Sequence, residues 1–222
     1  MPPPTTAFAL AAAAVPLRGG PVFSAAARAP SAGPTTFVTN TRCPFARTTW
    51  IALEELSIEY TVKEVGLYGA GGKPQWFLDM NPAGQVPVLE HSGVLVVDSV
   101  TILDHLLESY PSSALAVASG SPSCRAARKR IDTFLLAAKA DILAGRAPEA
   151  ASQALEAEMR APFLAGAEFS AADVRALPFL ARVDEEYGLA SLGCDKLAEW
   201  FVMCKRRPAF LSTVVGSPWW WW

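Results

Sequence analysis

The sequence predicts an α/β unit followed by an all-helical unit, on three observations. Across residues 36–110 the apolar pattern switches type in the order strand, helix, strand, helix, strand, strand, helix. Beyond about Cys124 only helical spacing recurs. The 222 residues are 51% hydrophobic and 18% charged, enough apolar material for a packed core and too much for a disordered chain.

The first strand is Thr36-Phe37-Val38-Thr39, β-branched and aromatic, followed by an Asn40-Thr41-Arg42 turn. Pro44 suits the first position of a helix, where its missing N–H has no partner to lose. Phe45, Thr49, Ala52, Leu53 and Leu56 then repeat at helical spacing and predict one core face. Cys43 falls at the mouth of that helix, where free N–H groups and the positive dipole end should lower its pKa and favour thiolate. Two readings stay open for it, a nucleophile or a small packed hydrophobe. Ala46 stands where a C-x-x-C pair would need its second thiol, so any disulfide chemistry must borrow that thiol from elsewhere.

Residues 60–65 read as a second strand, parallel to the first through a right-handed crossover. The four glycines of residues 66–72 make a loop. Residues 73–80 read as a short helix with Pro74 near its start, and Asn81-Pro82-Ala83-Gly84 as a turn. A strand over residues 85–89 contains Pro87, which implies an edge or a special bend. A cis Val86–Pro87 bond would turn the Val86 backbone outward, leaving its N–H and C=O for an extended peptide. A turn at His91-Ser92 leads to a strand over residues 93–97. Asp98 and Ser99 then open a helix running to about Tyr110.

Composition excludes several classes of function. The net charge is −2 without a basic run, so there is no footprint for nucleic acid. Two histidines and four scattered cysteines (43, 124, 194, 204) leave little material for a metal centre or a Ser-His-Asp site. The cysteine usage suits a reducing compartment. Residues 1–33 are set apart: up to Asn40 there is no Asp, Glu or Lys, and the arginines are Arg18 and Arg28. That is the composition of an organellar transit segment, or else of an Ala/Pro tail with no address. Its apolar stretch, residues 7–17, is too short to span a bilayer.

Residues 37–111 resemble the thioredoxin-like domain of glutathione transferases of the cysteine type: omega, lambda and the dehydroascorbate reductases. Four segments match in type and order: Cys43-Pro44-Phe45-Ala46, Lys73-Pro74-Gln75-Trp76-Phe77, Asn81 through Leu89, and Asp98-Ser99 ahead of Tyr110-Pro111. The resemblance implies an α/β thioredoxin-like domain over 34–111 and an all-helical domain over 112–213. It implies that Cys43 is the catalytic thiol, forming a mixed disulfide with glutathione. It makes Val86 the backbone partner of the cysteinyl unit just before a cis Pro87. Asp98 and Ser99 would take the γ-glutamyl end and Lys73 the glycyl carboxylate. By themselves these residues read equally as a helix cap and a solvated loop lysine. Arg47-Thr48 replaces the usual Gln-Arg pair, and Gln85 stands where dehydroascorbate reductases tend to carry lysine, so the class stays open.

In the helical half, Ile131, Leu135, Leu136, Ile142 and Leu143 predict a core stripe, with Arg125, Arg128 and Lys129 as a solvated face. A further helix is expected over residues 150–164. Ser170 and Asp173 form an acidic capping box, structural rather than catalytic, ahead of a helix that Pro178 should kink or break. Leu197, Trp200, Phe201 and Cys204 give a last core face. The tail, residues 214–222, ends in Trp219 to Trp222, to which no function is assigned. The resemblance implies glutathione-dependent thiol transfer or dehydroascorbate reduction. Glutathione would be co-substrate with a small electrophile or disulfide, in a monomer or homodimer, without metal or other cofactor. A plastid address follows from the leader. The alternative is a non-enzymatic binding module on the same scaffold.

Overall fold

The computed structural model describes residues 33–66 and 72–214. The leader up to residue 32, residues 67–71 of the glycine-rich loop, and residues 215–222 with their four tryptophans lie outside the described residues. Four strands, β1 (Thr36–Thr39), β2 (Thr61–Glu64), β3 (Val88–His91) and β4 (Val94–Val97), form one sheet in the order β2-β1-β3-β4. β1 runs parallel to β2 and antiparallel to β3, and β3 pairs antiparallel with β4. This is a thioredoxin-like mixed sheet. Helices α1 (Pro44–Glu55), α2 (Gln75–Met80) and α3 (Ser99–Ser109) belong to this half. A helical half follows: α4 (Ala114–Ser119), α5 (Pro122–Leu143), α6 (Glu149–Ala157), α7 (Ala171–Tyr187), α8 (Asp195–Cys204) and α9 (Pro208–Ser212).

Several expectations shift. β3 begins at Val88, not Gln85, and is an inner strand of the sheet. Pro87 therefore precedes the ladder, where no N–H is required of it. The hairpin turn falls on Ser92 and Gly93, both at positive φ, one residue later than expected. On α1, Thr49, Ala52 and Leu53 are buried, but Phe45 is 45% exposed. It sits in the first turn, its ring edge-on to Phe179 of α7. On α5 the buried face is Cys124, Ala127, Ile131, Phe134 and Ala138, whereas Leu136 and Leu143 face solvent. Phe134 supplies the inward bulk, and Leu136 lies about 200° further round the helix. Arg128 is not merely solvated: it ion-pairs with Asp104 of α3 at 2.7 Å. Helix α6 stops at Ala157 and the segment through a cis Ala161–Pro162 bond is irregular. Pro178 leaves α7 unbroken.

Asp173 is a structural hub rather than a simple cap. Its fully buried carboxylate accepts from Leu164 N (2.9 Å), Trp200 Nε1 (2.8 Å), Ser170 N (2.8 Å) and Ser170 Oγ (2.9 Å). It thereby joins the irregular segment, α7 and α8. Along α1 a second set of contacts ties the halves together. Glu55 makes a paired bridge to Arg207 Nε and Nη2 at 2.6 and 2.7 Å. The Arg207 guanidinium also lies 3.9 Å from the centre of the Phe169 ring. Nearer the start of α1, the Arg47 guanidinium stacks 4.3 Å from the Phe210 ring and donates to Thr213 Oγ1 at 3.3 Å.

The two histidines meet at the far end of β3. His91 Nδ1 lies 2.9 Å from His105 Nε2, and His91 Nε2 lies 3.1 Å from the Tyr110 hydroxyl. Burial and the neighbouring His105 charge push the His91 pKa down. Asp173→Ala leaves buried donors on three segments unpaired, so it should cost about 2–4 kcal/mol of unfolding free energy, read as a lower urea midpoint with unchanged slope. Asp173→Asn, which keeps one acceptor oxygen, should fall between it and the wild type.

Candidate active site

The strand-turn-helix at β1–α1 sets Cys43. Three bonds of one residue hold the turn: Asn40 accepts Cys43 N on its carbonyl (2.9 Å), accepts Arg42 N on Oδ1 (3.0 Å), and donates Nδ2 to Val65 O (2.8 Å). Thr41 adds a bond from Oγ1 to Glu64 Oε1 at 2.9 Å. Cys43 is thus fixed as the N-cap of α1, partly buried, with Arg42 exposed before it.

Opposite lies the loop ahead of β3, organised by another asparagine. Asn81 donates Nδ2 to Gln85 O at 2.8 Å, takes Ala83 N on Oδ1 at 3.3 Å, and takes Gly84 N on its carbonyl at 2.8 Å. The Val86–Pro87 bond that follows is cis. The Cys43 thiol donates to the Val86 carbonyl across 3.8 Å. Gly84 is needed for its φ of +61°, and a Cβ there would stand 2.8 and 2.9 Å from Cδ and Nζ of Lys73. The Lys73 side chain thus lies directly over the turn.

At the start of α3, Asp98 adopts φ 72° and caps the helix. Its Oδ2 takes Val100 N, Thr101 N and Thr101 Oγ1 at 3.0–3.1 Å. Ser99 beside it is buried. All six residues singled out from the sequence, Cys43, Lys73, Val86, Pro87, Asp98 and Ser99, line one cleft of about 450 Å³. Sequence reasoning placed Asn40 and Asn81 in their turns but did not foresee the side-chain bonds each makes there, nor that Phe45 joins the lining.

The expected lowering of the thiol pKa is not found. Burial is the larger effect and raises the Cys43 pKa above the ordinary thiol value, while the N–H groups of Ala46 and Phe45 pull it down. The other three thiols are buried; burial and nearby carboxylates push Cys194 up to about 11 and Cys204 higher still. Among the described residues no cluster of three His, Cys, Asp or Glu could hold a metal ion, and no helix is long and apolar enough to cross a membrane.

Comparison with known proteins agrees with this geometry. The family model for the glutathione S-transferase N-terminal domain matches residues 42–109. Glutathione S-transferase DHAR2 of Arabidopsis thaliana is 32% identical over 153 residues, 66% of this chain and 69% of that protein. Glutathione S-transferase omega-1 of Mus musculus is 43% identical over 74 residues, 33% of this chain and 30% of that protein. Relatives named chloroplastic and cytosolic both occur. Glutathione transferase Omega 3C of Trametes versicolor superposes with a TM-score of 0.71 at 24% identity, covering 84% of this chain and 91% of that one. The sheet, the cleft and a relative this similar over two thirds of its length together place the chain in the glutathione S-transferase family.

Proposed function

We propose that the protein is a glutathione-dependent thiol transferase or dehydroascorbate reductase that works through a mixed disulfide on Cys43. The observation that carries this reading is the Cys43 thiol facing the Val86 carbonyl in a cleft that also holds Lys73, Asp98 and Ser99. Glutathione would lie extended along Val86, its cysteinyl unit on the Val86 backbone beside Pro87. Its glycyl carboxylate would meet the Lys73 ammonium. Its γ-glutamyl end would meet the Asp98 carboxylate and the Ser99 hydroxyl at the α3 N-terminus. A nucleophile that can bond to glutathione sulfur favours disulfide exchange over conjugation, which needs a donor that holds thiolate without reacting.

In the exchange, Cys43 thiolate attacks the glutathionyl sulfur of a disulfide GS–SR. The S–S bond breaks, Cys43–S–SG forms, and RS⁻ leaves and takes up a proton. A second glutathione thiolate attacks the glutathionyl sulfur, releasing oxidised glutathione and regenerating Cys43 thiolate. With dehydroascorbate, Cys43 thiolate adds to a carbonyl carbon; a glutathione thiolate then attacks the Cys43 sulfur, the C–S bond breaks with its electron pair left on the acceptor, which takes up a proton as ascorbate, and the Cys43–S–SG formed is resolved by the second glutathione. The Val86 carbonyl accepts the thiol proton. A peptide amide arriving at that carbonyl competes for it and frees the thiol to turn and ionise.

We assign residues 34–111 as the glutathione-binding domain, 112–213 as its helical companion, and the acid-free leader as a plastid address. A fluorescent protein carrying residues 1–33 should accumulate in plastids; a uniformly cytosolic signal would remove the address.

Two measurements test the chemistry. Full-length protein incubated with oxidised glutathione should gain one glutathionyl mass, lost in Cys43→Ser, and dehydroascorbate turnover should fall at least about 10³-fold in that variant. A folded protein with neither adduct nor turnover would be a binding module instead. Because burial raises the Cys43 pKa, iodoacetamide alkylation of the free protein should keep rising with pH through about 8.5, the ordinary thiol value. A plateau near neutrality would contradict a raised pKa.

A further inference from the structure

Among the described residues, those lining the cleft fall between Cys43 and Ser99, in the half that carries the sheet. Of its lining, Phe45 meets the helical half: its ring stands edge-on to Phe179 of α7, with centroids 5.0 Å apart and planes at 72°. Phe179 itself is 1% exposed and fixed in the core, whereas Phe45 keeps 45% of its surface open. Two residues further along α1, Arg47 closes the seam against Phe210 and Thr213. At about 450 Å³ the cleft is near the lower end of small-molecule sites, which run roughly 300–1,000 Å³. Phe45 is two residues from Cys43 and lines the same cleft.

We propose that Phe45, braced by Phe179, sets the size of acceptor that can reach Cys43, confining the protein to compact second substrates. This rests on the thiol-transfer reading. In a mixed disulfide GS–SR, Cys43 attacks the glutathionyl sulfur and R passes over the Phe45 ring as RS⁻ departs. A short R clears the ring, and a fused aromatic R meets it. The sequence alone placed Phe45 on the core face of α1; its half-open ring in the cleft changes that role from packing to selection.

The test compares wild-type full-length protein with Phe45→Ala and Phe45→Trp, on two glutathione mixed disulfides: one with 2-mercaptoethanol, one with 2-naphthalenethiol. Phe45→Ala should raise the ratio of kcat/KM for the naphthyl over the hydroxyethyl disulfide by about fivefold or more, and Phe45→Trp should lower it. In parallel, Cys43 alkylation by pyrenyl maleimide relative to iodoacetamide reads access without any glutathione, and should move the same way. A Phe45→Ala ratio within about twofold of wild type in both assays would overturn the proposal. Wild-type protein that turns over neither disulfide would sink the thiol-transfer reading, while the alkylation ratio would still decide whether Phe45 controls access. If Phe45→Ala does not fold, judged by its circular dichroism, Phe45→Leu supplies the same comparison with more apolar volume kept.

Discussion

Two asparagine side chains hold the chemistry of this protein in place. Asn40 knots the turn before Cys43 to the end of β2, and Asn81 knots the loop before Val86 to itself. Each uses its amide as donor and acceptor at once, satisfying backbone groups that the turns would otherwise strand. The thiol and the Val86 carbonyl face each other because both loops are fixed from behind. Neither a serine nor an aspartate could do this at either position, since one lacks the reach and the other the donor.

Helix α1 carries that arrangement into the rest of the molecule. Its N-cap is Cys43, its first turn presents Phe45, its length packs against α3, α7 and α9, and its last residue takes the Arg207 guanidinium in a paired bridge. Arg207 in turn lies on Phe169, next to the segment that Asp173 gathers. A fully desolvated carboxylate with four donors is costly to assemble and costlier to break. The helical half therefore acts less as a wall of the site than as the clamp that keeps α1 aligned.

The sheet and the cleft were legible in the sequence to different depths. β1, α1 and α3 could be placed nearly to the residue because Pro44 and Asp98 mark helix starts by local physics. β3 was misplaced because Pro87 lies beside an apolar run, and periodicity does not say where a ladder begins. Leu136 and Leu143 were misread because apolar residues on α5 outnumber the inward places, and Phe134 and Ala138 filled those. All six site residues converge on one cleft, yet the thiol pKa went the other way. A helix terminus is visible in a sequence, but the depth at which it is buried is a property of the packed molecule.

The two histidines are locked to each other and to Tyr110 at the end of β3 remote from Pro87, and none lines the cleft. The site thus lacks the side chain that most often relays protons near neutrality. On the thiol-transfer reading, the Cys43 proton goes to solvent and the departing thiolate takes one up from the same source. The half-open Phe45 ring then has a second meaning: a cleft without histidine exchanges its protons with water, and an open mouth lets that water in. A mouth that narrowed the passage of substrates yet still admitted water would serve both demands.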